Sequence, residues 1–208
     1  MNPNSLDLRR RIAREAANLL YSGVEKEFKQ AKQKAANTLG AHVLPANLEV
    51  ALELDEIAEE REGAARQERL IQMRKEALNL MRILKLYNPL LIGSVWRGTI
   101  HHDSDMDVVV YHDSPEDVLA TLKQNGVRIE QTEHVAVTKR GKRKSAFHIY
   151  AESPAKEKVE IKISNPEEAT RKEKCGVYGD NIVGLNTQEL GKLLKENPCR
   201  KFVPSLNR

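Results

Sequence analysis

The sequence predicts an α/β protein of the α+β kind: a helical N-terminal region followed by a small mixed sheet flanked by helices. Three observations carry this. Through residues 5–87 apolar side chains recur at three- and four-residue spacing, the period of a helix with one buried face. From Leu90 onward short apolar or alternating runs replace that period, as strands do. Single helical segments stand among those runs, so the second part mixes both element types. The division expected is a helical region over 1–88 and a mixed domain over 89–208.

Leu8, Ile12, Ala16, Leu19 and Leu20 define the first helix, and Val24, Phe28, Ala31 and Ala35 carry the stripe past Gly23, which should bend or interrupt it. Gly40 reads as a stop, and Pro45 with Asn47 as a restart. A helix over 47–61 turns Val50, Leu54, Ile57 and Ala58 inward before Gly63 breaks the pattern. A further helix over 64–86 presents Leu70, Met73, Ala77, Leu80, Met81 and Leu84, and Asn88 and Pro89 end it. Leu90 to Ile92 is a short strand, and the apolar run after Asp107 a second. Asp113, Ser114 and Pro115 cap a helix over 116–124 that Gly126 closes. Runs at 127–139, 145–151 and 158–164 read as strands, with a turn at 140–143 joining the first two. Residues 166–186 are mostly irregular after a short helical start, and 188–195 form a last helix.

Charged residues make up 31% of the chain and aromatics 4%, a balance that suits a soluble, helix-rich protein with a modest core. A net charge of +4 excludes a strongly basic nucleic-acid binder. The two cysteines, Cys175 and Cys199, have no metal-ligand spacing and are expected as reduced thiols of a cytoplasmic protein. The opening segment is charged and has no apolar signal core. No run is long enough to cross a membrane.

The chemistry is concentrated in LIGSVWRGTIHHDSDMDVVV, residues 91–110. In an extended chain alternate side chains share a face, so Asp105 and Asp107 point one way and Met106 and Val108 the other. Paired carboxylates repel unless a cation lies between them, and magnesium is the hard, oxygen-seeking ion most often shared with phosphates. The Gly93-Ser94 turn offers close backbone approach and a hydroxyl, both suited to a phosphate.

Gly93, Ser94, Arg97, Gly98, Thr99, Ser104, Asp105 and Asp107 together resemble the GS…RGT…SDxD signature of the nucleotidyltransferase superfamily. That superfamily includes DNA polymerase beta, CCA-adding enzymes, aminoglycoside nucleotidyltransferases and the small prokaryotic minimal nucleotidyltransferases. The resemblance is dense over these residues and extends more weakly to about Asn165. It implies that the serine holds a nucleotide's phosphates, that the two acids bind divalent metal, and that a third acid comes from a later strand. In KVEIKI the apolar residues alternate, which turns Glu160 and Lys162 to the polar face. Glu160 is therefore the expected third acid, with Glu152 or Glu157 in its place if the register is shifted.

The expected reaction moves a nucleoside monophosphate from a nucleoside triphosphate to a hydroxyl acceptor: a protein side chain, a tRNA end or a small molecule. Two Mg²⁺ ions (or Mn²⁺) roughly 3.5–4 Å apart would serve an in-line displacement. Nucleotide binding is expected from Gly93, Ser94, Arg97 and Lys162, with Asp103 the other partner open to Arg97. Lys139, Arg140, Lys142, Arg143 and Lys144 put five positive charges in six residues, a candidate contact for an RNA backbone. Trp96 should pack on the helical region, and His101, His102 and the Arg9-Arg10-Arg11 run should be solvated. His134 and His148 read as packed or surface residues. The N-terminal helices are a candidate partner surface or homodimer interface. The rival reading is a non-catalytic module of this fold that binds RNA or a partner protein.

Overall fold

The computed structural model describes residues 3–139 and 142–204. Helix α1 (Pro3–Tyr21) packs on the first half of α3 (Asn47–Ile83), and α2 (Phe28–Thr38) packs on α1. Their contact is an alanine-rich seam of Ile12, Ala13, Ala16, Ala17, Ala31, Ala35 and Ala36 against Val50 and Ile57. Ion pairs flank it: Arg9 to Glu49 at 2.6 Å, and Arg10 and Arg14 to the buried Glu53 at 3.1 and 3.2 Å. Arg9 is partly covered by its pair with Glu49, while Arg10 and Arg11 stay exposed, as the sequence suggested for the run.

At Gly63 the backbone leaves helical geometry (φ 54°, ψ −135°), which breaks α3 where the apolar stripe changes phase. Beyond the break, Leu70, Met73, Ala77, Met81 and Leu84 enter a second and larger core under the sheet. The boundary expected at 88 therefore follows a helix whose second half already belongs to the sheet's core. A 3₁₀ turn, Lys85–Tyr87, then leads into β1 (Leu90–Ile92).

The sheet is mixed. With β2 (Met106–Tyr111), β3 (Arg128–Lys139), β4 (Lys142–Glu152) and β5 (Lys158–Ser164), its order is β1-β2-β5-β4-β3. β2 and β5 run parallel and the other pairs antiparallel. Met106, Val108, Val110, Val159, Ile161 and Ile163 face the core, as their alternation requires. Helix α5 (Pro115–Gln124) starts at Ser114, whose Oγ accepts from the Asp117 N–H, and contributes Val118 and Leu122 to that core. Helix α6 (Thr187–Glu196) adds Leu190 and Leu193. The centre of the expected basic turn, Arg140 and Gly141, and the side chains beside it lie outside the described residues.

Helix α4 (Gly93–Arg97) is too short to show a period, and the sequence does not predict it. It and the loop after it are held by three arginines of α3. Arg66 Nε donates to Ile100 O at 2.7 Å. Arg69 donates to His101 O at 2.9 Å and Ser104 O at 3.1 Å. Arg74, wholly buried, donates to the carbonyls of Val95 (3.0 Å), Trp96 (2.9 Å), Pro198 (2.5 Å) and Arg200 (3.0 Å). Burial lowers the Arg74 pKa to about 10, so the group stays charged at neutral pH.

Trp96 stacks on Phe202 at 6.4 Å between ring centres and is buried in the core it shares with Leu70, Met73 and Ala77 of α3, so the C-terminal segment joins the helical region as its surroundings. Both cysteines are free. Among the described residues no helix is long and apolar enough to cross a membrane.

Removing Arg74 would take the donor from four carbonyls, two of them buried and two partly buried, a buried one costing about 1–3 kcal/mol when left unpaired. Arg74→Leu is expected to cost about 3 kcal/mol or more, lowering the thermal midpoint by roughly 6–12 °C for a chain of this size. Differential scanning calorimetry of the two proteins checks this.

Candidate active site

The parallel pairing of β2 with β5 places Asp107 directly opposite Glu160. Both residues alternate with buried apolar neighbours, so their carboxylates emerge on the face away from the core. Asp105 lies two residues before Asp107, on the same side. Ligand oxygens of Asp105, Asp107 and Glu160 all lie within 4.8 Å of one another, a cluster able to hold a metal ion. The alternative acids are engaged elsewhere: Glu157 with Arg69 at 2.8 Å and Glu152 with Arg128 at 3.4 Å.

The electrostatics follow from the crowding. Burial pushes the Asp107 carboxyl up to about 8, and the negative charges of Asp105 and Glu160 push in the same direction. Asp105 is raised chiefly by burial, with Glu160 adding to it. Three partly buried acids crowded together repel one another and form a good donor set for a hard divalent ion.

β1 ends at Ile92, opposite Asp107, and Gly93 turns the chain into α4. Gly93 has φ +69°, and a Cβ built on it would lie 1.8 Å from Asp107 Oδ2. The glycine is therefore needed twice, for its left-handed backbone and for the space the carboxylate fills. Ser94 follows at the same corner, partly exposed, so the Gly-Ser turn borders the acid cluster.

The loop before Asp105 is built as tightly. Ser104 is buried and its Oγ accepts from the His101 N–H at 2.9 Å. His102 donates its N–H to Glu62 at 2.9 Å and packs on Tyr21 at 4.6 Å. The His101 ring lies 6.2 Å from that of Tyr21. Both histidines touch the helical region; His101 is half-buried there, while His102 stays exposed as the sequence suggested. Asp103 pairs with Lys158 at 3.2 Å.

Arg97 departs from the expectation of phosphate contact. Its side chain is 3% exposed and forms a bidentate pair with Asp180, at 2.6 and 3.1 Å. It lies between the rings of Trp96 (4.5 Å) and Tyr178 (4.1 Å) and donates to Phe202 O at 2.9 Å. Asp103 is not its partner, because Asp180 and the Phe202 carbonyl satisfy the guanidinium. Asp180 lies 83 residues away, a pairing no local pattern reveals.

Lys162 stays on the site's face, two residues beyond Glu160 on β5. It lines a cleft with Ile92, Val109, Tyr111 and Ser164, walled by Arg171 and Ile182. Arg171 and the wall lie in the irregular stretch, which carries no motif. His148 is a further residue that sequence reasoning does not assign to the site: its Nδ1 is hydrogen-bonded to Glu160 Oε1. Alternation on β4 could have turned it to the polar face, but not identified its partner.

A carboxyl whose folded pKa exceeds its unfolded value stabilises the fold fully only below the unfolded pKa, and loses that contribution as pH rises through the folded one. For Asp107 the window runs from the ordinary value of 3.8 to about 8. Every tenfold difference in proton affinity between the folded and unfolded chain corresponds to about 1.4 kcal/mol. In chelator, Asp107→Asn should therefore be more stable than the unaltered protein at pH 8, and the gap should close toward pH 4. Urea midpoints across that range measure it. Gly93→Ala is expected to destabilise at every pH, because its methyl group displaces the Asp107 carboxylate.

Comparison with known proteins places the site in a family. Residues 65–177 match the nucleotidyltransferase domain model, a span that contains Gly93, Ser94, all three acids and the cleft residues up to Arg171. No curated protein matches the chain. Among solved structures, the chain is similar to one from work on a cytoplasmic RNA terminal U-transferase, at 19% identity and a TM-score of 0.30. That match covers 57% of this chain and 35% of the other. With over half its length matching the domain model, the chain belongs to the nucleotidyltransferase domain family.

Proposed function

We propose that this protein transfers a nucleoside monophosphate from a nucleoside triphosphate to a hydroxyl acceptor, by two-metal in-line displacement at Asp105, Asp107 and Glu160. The observation that carries the reading is the meeting of three carboxylates from two parallel strands beside the Gly-Ser turn. Mg²⁺, with Mn²⁺ as substitute, is the ion that this all-oxygen donor set suits. When bound there it supplies the positive charge that screens the reacting phosphate and the leaving pyrophosphate.

The chain's own groups do the rest. Ser94 and the amides around Gly93 receive the outer phosphates. Lys162, with Arg171 across the cleft, draws the triphosphate along the sheet face. The acceptor oxygen bonds to the α-phosphorus while the bond from that phosphorus to the β-phosphate's bridging oxygen breaks, and pyrophosphate leaves. Glu160 takes the acceptor's proton.

In this reading the acceptor is a tRNA end, a protein side chain or a small molecule, and the helical region is the surface that meets it or a second copy. Leu6, Val24 and Val43 of that region, at 52, 55 and 40% exposure, support such contact. Two free thiols and a nucleoside triphosphate substrate suit the cytoplasm.

Transfer of label from each of the four nucleoside triphosphates, screened over RNA, protein and small hydroxyl acceptors, tests the proposal. Asp105→Asn and Asp107→Asn should each lower transfer at least about 100-fold, the equivalent of the several kcal/mol that metal stabilisation contributes. Full transfer by either variant overturns the mechanism. A folded protein with its acids intact that shows no magnesium-dependent binding of a non-hydrolysable triphosphate would favour the binding-module reading.

A further inference from the structure

β4 lies beside β5 on the edge of the site. In their register Tyr150 stands opposite Glu160, and His148 opposite Lys162. His148 is thus the diagonal neighbour of Glu160 on the same face, a separation that an imidazole and a glutamate can span. It does so, with Nδ1 meeting Glu160 Oε1. Both side chains are largely covered, at 17 and 26% exposure. The His148 ring also stacks on Tyr150, at 6.5 Å and 25° between planes, which restricts the direction in which Nδ1 points.

The bond has a consequence for the acid. An ionised carboxylate only accepts, so Nδ1 carries the hydrogen and Oε1 is occupied by it. That leaves Oε2 with all of its acceptor capacity for other partners. Glutamate has three rotatable side-chain bonds, and fixing such a chain costs up to about 2 kcal/mol of rotamer freedom. Asp105, and Asp107 once ionised, add to that cost, because their negative charges repel Glu160 from the position the site requires. Without a hold on its other oxygen, Glu160 would relax toward solvent and leave a two-carboxylate site.

We infer that His148 is a positioning residue, whose hydrogen bond keeps Glu160 turned toward Asp105 and Asp107 and so maintains a three-carboxylate cation site. This rests on the nucleotidyl-transfer reading only in taking the cluster as a metal site. His148 is not itself assigned contact with substrate or ion. Partners that orient a metal ligand from behind are worth about 10–100-fold in metal affinity in general.

The test uses the full chain and Mn²⁺ alone, with free Mn²⁺ followed by electron paramagnetic resonance. His148→Ala should weaken Mn²⁺ binding about 10-fold or more, with an unchanged unfolding midpoint in chelator. His148→Asn, whose amide nitrogen can stand where Nδ1 stood, should restore most of the affinity. The same order should hold for kcat with labelled triphosphate, with little change in KM. A wild-type Mn²⁺ constant in His148→Ala overturns the inference, as does an Asn variant no better than Ala. If Asp107→Asn binds Mn²⁺ as the unaltered protein does, the metal reading beneath it fails instead, and the two failures are told apart by which variant retains the ion.

Discussion

Arg66, Arg69 and Arg74 stand along one helix and direct their donors at backbone carbonyls of residues 95–104, with Arg74 also reaching the C-terminal segment. That stretch links the Gly-Ser turn to Asp105, and beyond the end of α4 it has almost no regular structure of its own. Its carbonyls would otherwise be buried without partners. A guanidinium offers five donors in a fixed plane and keeps its charge when buried, so one side chain can do what a stretch of sheet does elsewhere. The two ends of the candidate site keep their spacing because one helix grips both.

The same helix connects the site to the helical region. Its first half completes the alanine seam with α1 and α2, and Glu62 near its break receives the His102 N–H. Tyr21 at the end of α1 packs on His102. An event at the outer helices is therefore one packed residue away from the loop that precedes Asp105. Rigidity on one side of the acids is matched on the other, where β4 supplies His148 behind Glu160.

The acid cluster carries an electrostatic cost that the fold sustains rather than relieves. Burial and mutual repulsion both raise Asp107, yet the backbone pressed against its carboxylate is that of Gly93, which has no side chain to offer. Arg97, the cation of the Gly-Ser segment, is withdrawn into a pair with Asp180 between two aromatic rings. Keeping that arginine away leaves the cluster's charge uncompensated by it, a condition that favours binding of a divalent ion.

Much of this was legible in the residues. Alternation alone put Asp105, Asp107 and Glu160 on polar faces, because a strand's two-residue period is a local property. Helix spans and the break at Gly63 followed from apolar spacing and from glycine for the same reason. What spacing could not supply was partnership across the chain: that Asp107 and Glu160 are directly paired on parallel strands, that Arg97 belongs to Asp180 and Trp96 to Phe202, and that His148 backs Glu160. Arg66, Arg69 and Arg74 carry no signal along the chain, and only the fold brings carbonyls to them. Pattern along a chain reports which way a side chain faces; which group it meets there depends on how distant segments are packed, and that is a property of the folded whole.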